Sequence, residues 1–166
     1  MAITLDQIQA EKKTLWNEAE RQEKWDARFL KLAEEYATWS KDPRTRVGCV
    51  IVADDKTVIA SGYNGPCRGV RDDVPAGLQR PEKLLWFEHA ERNSIYNAAK
   101  RGIALSGSTA YSTLCPCMDC ARALVQSGIK RIVYPKPDLE KYSTWADQFT
   151  TAEILYQEAG VILHYV

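Results

Sequence analysis

His89 and Glu91, one residue apart, and Cys117 and Cys120, two residues apart, are the side chains whose types and spacing can do chemistry together. Imidazole nitrogen and thiolate sulfur are the donors that hold zinc in a tetrahedron, and cysteines three apart on a helical turn face one side and reach one ion. Three protein ligands leave the fourth position to water, which separates a catalytic zinc from a closed structural one. Zinc lowers the pKa of such a water to about 7, and a neighbouring carboxylate, here Glu91, can take its proton and pass it on. Pro116 suits the first position of the helix that carries the cysteines, where its missing N–H costs nothing, and the positive end of that helix favours thiolate. The rival arrangement is a closed Cys3His site completed by Cys115, which accounts for neither Glu91 nor Pro116.

The elements that must position these groups follow from the apolar pattern. Residues 4 to 22 are helix-prone and polar, with Leu5, Ile8, Leu15 and Trp16 too sparse for a core face, and predict a helical arm over residues 1–24. From Trp25, apolar residues at Phe29, Leu32, Ala33, Tyr36 and Ala37 recur at helical spacing and predict a helix ending before Asp42-Pro43, the first element of a domain over 25–166. The β-branched runs 47–52 and 57–62 flank Asp54-Asp55-Lys56 as a hairpin. After a Pro- and Gly-rich loop from Asn64 to Pro81, helices over 88–101, 117–127 and 146–159 each stop at a glycine, and strands over 108–113, 131–134 and 161–166 follow them. This alternation predicts a three-layer α/β/α fold around a mixed sheet of about five strands.

Composition narrows the function. In 166 residues, 45% hydrophobic, 22 basic side chains balance 22 acidic ones, so no basic field gathers a polymer backbone and small substrates are favoured over nucleic acid. The first residues lack a secretory pattern and no stretch approaches about 18 uninterrupted apolar residues, so a soluble cytoplasmic protein without membrane contact is expected. Three of the five cysteines crowd between Cys115 and Cys120, which suits thiolates bound to metal in a reducing compartment.

His89-Ala90-Glu91 followed by Pro116-Cys117-Met118-Asp119-Cys120 matches the H-x-E…P-C-x-x-C pattern of zinc deaminases. Two further blocks, Ser40-Lys41-Asp42-Pro43-Arg44-Thr45-Arg46-Val47-Gly48 and Gly62-Tyr63-Asn64-Gly65, resemble those of deoxycytidylate (dCMP) deaminases. The resemblance runs from about Trp25 to Val166. It implies the cytidine-deaminase fold, one catalytic Zn2+ per subunit, and hydrolysis of dCMP to dUMP and ammonia, which supplies dUMP for thymidylate synthesis. It also implies a homohexamer that dCTP activates and dTTP inhibits.

Carried over by this resemblance, Asn64 is expected to contact the nucleotide, with Ser40 and Arg44 on the loop approaching the phosphate, and Arg46 or Lys136 as alternative donors. Arg68, Arg71, Asp72 and Asp73 in the long loop form a mixture able to meet triphosphate oxygens and a Mg2+ ion. Family members often carry a second zinc there, but this loop offers only Cys67 and no histidine, so none is expected. Cys49 and Cys67 are expected to pack rather than ligate, and His164 to be structural. Competing readings are a dual dCMP/dCTP enzyme, a deaminase of guanine, a pterin or a riboflavin precursor, a polynucleotide deaminase using some of the five tryptophans, and a non-catalytic zinc module.

Overall fold

The computed structural model describes residues 4–6, 18–73 and 81–166. Strands β1 (Gly48–Val52) and β2 (Val58–Tyr63) form the expected hairpin, turned where Lys56 takes a left-handed φ of 72°. On its other edge β1 pairs antiparallel with β5 (Thr109–Ser112), and parallel pairing then adds β6 (Arg131–Tyr134) and β7 (Ile162–Tyr165). The result is the mixed five-stranded sheet, in the order β2-β1-β5-β6-β7.

Successive strand residues point to opposite faces. Val50 and Val52 of β1 meet Phe29, Leu30 and Ala33 of helix α1 (Glu18–Thr38). Cys49 and Ile51 face the other way, into a core shared with α3 (Ala90–Ala99), α4 (Met118–Gln126) and α5 (Ala146–Glu158). Helices α4 and α5 are the crossovers between parallel strands, and parallel crossovers of one hand put them on the same face. All the helices that carry chemistry therefore share one side of the sheet.

Two glycines of the motif blocks permit this packing. A Cβ on Gly48 would lie 1.9 Å from the Ala33 carbonyl oxygen of α1, and one on Gly62 would lie 2.7 Å from the Ser94 nitrogen of α3. Any side chain at either position would push a helix off the sheet.

Several short elements escape the sequence pattern. Gly65–Pro66 (β3) pairs with Phe87–Glu88 (β4) as a small second sheet, and Lys83–Trp86 (α2) forms one helical turn before it. Glu88, expected in the helix, is thus a strand residue, and α3 starts at Ala90. A 3-10 turn at Ser143–Trp145 leads into α5. Residues 74–80 of the long loop, and residues 1–3 and 7–17 of the expected arm, lie outside the described residues. Helix α1 runs through position 25 without a break. Among the described residues no helix is long and apolar enough to cross a membrane.

Helix α1 is fastened by Asp26, which is fully buried. Its carboxylate takes both arms of Arg131 from β6, at 2.8 and 2.6 Å, and the Tyr111 hydroxyl of β5 at 2.8 Å, while His164 of β7 stands 3.7 Å away. Burial alone would raise the Asp26 carboxyl, but hydrogen bonds from Arg131, Gln22 and Tyr111 outweigh it and hold the group below its ordinary value. A carboxylate depressed in the folded state adds stability above its unfolded pKa of about 3.9 and loses it as pH falls through the folded value. Denaturant melts should therefore show stability falling below about pH 4, and Asp26→Asn should cost about 2 kcal/mol at neutral pH and flatten that fall. An unchanged acid profile in the variant would count against this fastening.

Candidate active site

The strand pair β3–β4 delivers the chain to His89, which caps α3 in an extended conformation (φ −80°, ψ 154°). Cys117 caps α4 in the same way (φ −68°, ψ 170°), and Cys120 sits in that helix's first turn. Pro116, expected at the first helical position, instead precedes the cap, because Cys117 takes the cap itself. Two helix N-termini thus converge, and their positive ends favour thiolate. His89 Nδ1 lies 3.4 Å from Cys117 Sγ and 3.5 Å from Cys120 Sγ, and the possible donor atoms of all three residues fall within 4.8 Å of one another.

These distances test the site's fit to a metal. A tetrahedral zinc with bonds of about 2.3 Å to sulfur and about 2.0 Å to nitrogen sets sulfur and nitrogen about 3.5 Å apart. The residues present fit zinc. The Cys117 thiol is pulled down to about 4, first by a hydrogen bond from Cys120 and then by one with His89, while Cys120 is pushed up in return. Cys115, although buried, stands outside this cluster, its sulfur 3.8 Å from the Pro116 carbonyl. The closed Cys3His arrangement is therefore not what the fold assembles.

Glu91 lies in the first turn of α3, buried to 3% exposure, and accepts a hydrogen bond from the Ser112 hydroxyl at 3.2 Å. Burial raises its carboxyl above the ordinary range, with the neighbouring His89 working partly against that shift. A carboxyl that binds protons more readily than usual, beside a metal-ligand cluster, is suited to moving protons.

His89, Glu91 and Cys117 open into a cleft of about 590 Å³. Its other walls include Asp42 and residues 44–47, Asn64, Lys83 and Phe87, and Lys141, Tyr142 and Trp145. The Trp145 ring stands edge-on to His89 with centroids 6.2 Å apart. The size suits one small ligand.

The family model described as the cytidine and deoxycytidylate deaminase zinc-binding region matches residues 23–136. The chain belongs to this deaminase family. A deaminase of Aliivibrio fischeri, described as an uncharacterized deaminase in the luxG 3′ region, is 36% identical over 83% of this chain and 90% of that protein. The human deoxycytidylate deaminase is 34% identical over 82% of this chain and 76% of its own length. The crystal structure of a dCMP deaminase from the cyanophage S-TIM5, in complex with dCMP and dUMP, superposes with a TM-score of 0.68 at 25% identity, covering 84% of this chain and 95% of that one. The three-layer fold expected from the sequence is the fold of these cytidine-deaminase-like structures.

In this deaminase the sequence-predicted residues are distributed unevenly. Arg44 and Arg46 are exposed and line the cleft, whereas Lys136 is exposed outside it. Asn64 lines the cleft, but its carboxamide clasps the neighbouring loop: Oδ1 accepts from Val47 N at 2.7 Å, and Nδ2 donates to Asp42 at 3.0 Å and to the Thr45 carbonyl at 2.9 Å. Ser40 is buried away from the cleft and its hydroxyl donates to the Asn64 carbonyl at 2.7 Å, so it braces the loop.

The four residues assigned to effector binding do not converge on one point. Arg68 and Asp72 line a second cleft of about 570 Å³ with Lys41, Trp39 and Arg101, while Arg71 pairs with Asp73 on the surface through two 3.0 Å bonds. Sequence reasoning missed Asp42, Lys83, Lys141, Tyr142 and Trp145 as cleft residues. Only Asp42 carried a local signal, as an aspartate whose side chain accepts from the N–H groups of Arg44 and Thr45.

Proposed function

We propose that this deaminase hydrolyses dCMP to dUMP and ammonia. One observation carries the reading: a single cleft joins His89 and Cys117 of the zinc-fitting trio and a buried proton-binding carboxyl to the exposed cations Arg44, Arg46 and Lys141. That is a site for a small base bearing a phosphate. The human relative's description and the dCMP and dUMP bound to the cyanophage protein support the same substrate.

His89, Cys117 and Cys120 would hold the zinc, which would supply a Lewis acid able to make water nucleophilic near neutral pH. Glu91 accepts one proton from the attacking water and passes it to the ring nitrogen, then takes the second from the hydroxyl now on the amino-bearing carbon and passes it to the departing amine, so that the carbonyl forms as ammonia leaves. Its burial keeps the proton available between these transfers, and Ser112 fixes the carboxylate's orientation. Trp145 offers the base an aromatic wall beside His89. Ammonia release from dCMP, dCTP, CMP, deoxycytidine and single-stranded DNA tests the reading, with dCMP expected fastest. Faster release from single-stranded DNA, steeply weakened by salt, would instead favour a polynucleotide substrate.

Arg44 gives this reading a separate check. Its guanidinium can pair with a phosphate dianion and has nothing to pair with on a bare nucleoside. Arg44→Ala should cut kcat/KM for dCMP by roughly tenfold and leave deoxycytidine nearly unchanged. Equal losses on both substrates would assign the residue to loop structure.

Regulation belongs to the same proposal: a homohexamer activated by dCTP with magnesium and inhibited by dTTP. The second cleft, where Asp72 meets Lys41 at 2.8 Å beside Arg68, is the place it would act. Coupling is reciprocal, so dTTP should weaken dCMP binding by the factor by which dCMP weakens dTTP binding. Saturation curves unmoved by either triphosphate would remove regulation from the proposal.

A further inference from the structure

Among the described residues Lys83 enters the cleft from α2 as its one buried lysine or arginine, at 8% exposure, whereas Arg44, Arg46 and Lys141 are exposed. Its ammonium forms an ion pair with Asp42 Oδ2 and stands 5.6 Å from the centre of the Phe87 ring. Asp42 is itself buried to 2% exposure, and its oxygens are fully engaged. Oδ1 accepts from the N–H groups of Arg44 at 2.8 Å and Thr45 at 3.1 Å, and Oδ2 accepts from Asn64 Nδ2 at 3.0 Å and from Lys83.

An ammonium carries three donors. Among the described residues Asp42 is the only hydrogen-bonding partner of this one, so donor capacity remains unspent on a cleft wall. A buried polar group in that condition is costly unless something in the cleft accepts from it.

The charge of the pair says what the acceptor is. Lys83 and Asp42 together are neutral, and a phosphate dianion brought to Lys83 would also face the Asp42 carboxylate. Arg44 and Lys141, exposed in the same cleft with no carboxylate partner among the described residues, offer the phosphate positive charge without that repulsion. An uncharged hydroxyl suits the buried neutral pair, and the deoxyribose of dCMP has one free hydroxyl. We infer that Lys83, pinned by Asp42, donates a hydrogen bond to that sugar hydroxyl and is a specificity-determining residue for it. This rests on dCMP being the substrate.

The test compares kcat/KM for dCMP, 2′,3′-dideoxycytidylate and deoxycytidine in the metal-replete wild type, Lys83→Met and Lys83→Arg. Ratios between substrates within one protein are independent of how much of it is folded. Wild type should prefer dCMP over the dideoxynucleotide by about 10- to 100-fold, the range of a hydrogen bond to a charged group. Lys83→Met should lower that ratio by roughly tenfold while keeping the preference of dCMP over deoxycytidine, and Lys83→Arg should restore part of it. Indifference of the wild type to the hydroxyl would overturn the inference, as would a wild-type ratio in Lys83→Met. Collapse of the dCMP to deoxycytidine ratio alone would overturn it too, by moving Lys83 to the phosphate. No ammonia from dCMP with the wild type would overturn the substrate reading and this inference with it; an active wild type with any other failure overturns the inference alone.

Discussion

Cys117→Ala and Cys120→Ala are each expected to take zinc content from about one ion per chain to near zero, and turnover with it. Each variant leaves two of the three ligand atoms that now stand at the spacing a tetrahedral zinc imposes. Two donors no longer fill enough of the tetrahedron to compete with chelators. The effect differs from that of an ordinary core cysteine: Cys49 is just as buried but lies on β1, outside the cluster. Metal analysis after dialysis measures the result. Full occupancy in either variant would strike that cysteine from the ligand set.

Glu91→Gln should reduce kcat by roughly 100-fold or more while the protein stays folded and zinc-loaded. The amide keeps the size of the carboxyl and can still accept the Ser112 hydrogen bond, yet it cannot carry a proton between water, ring nitrogen and amine. Burial already disfavours the charged form of Glu91, so a neutral side chain there leaves no unpaired charge in the core. Loss of turnover without loss of fold or metal is what separates a proton carrier from a structural residue. Substrate binding should persist in this variant, and near-normal turnover would remove Glu91 from the mechanism.

The part of the site legible in the sequence is the part with local spacing. His89 and Glu91 fall within one turn, as do Cys117 and Cys120, so their patterns survive without knowledge of the fold. The strands were legible because β1 and β5 are runs of residues suited to a buried sheet, and helices α3, α4 and α5 because each ends at a glycine in a left-handed conformation, Gly102, Gly128 and Gly160. Lys83 and Trp145 were not legible. They reach the cleft through α2 and the 3-10 turn, elements too short to show periodicity, and only the folding of both segments over the same sheet face brings them to His89's cleft. Ser40 and Asn64 show the opposite limit: the motifs that contain them mark the cleft correctly, but their side chains hold the 42–47 loop in shape, a duty only contacts far apart in sequence reveal.

Hydrolytic deamination is tested most directly by the fate of oxygen. Metal-replete protein should be incubated with dCMP in heavy-oxygen water, and the nucleotide product weighed by mass spectrometry alongside an ammonia assay. The site described here predicts dUMP carrying one heavy oxygen on its base, with one ammonia released per dUMP formed. Unchanged dCMP, or a product lacking the heavy atom, would contradict it.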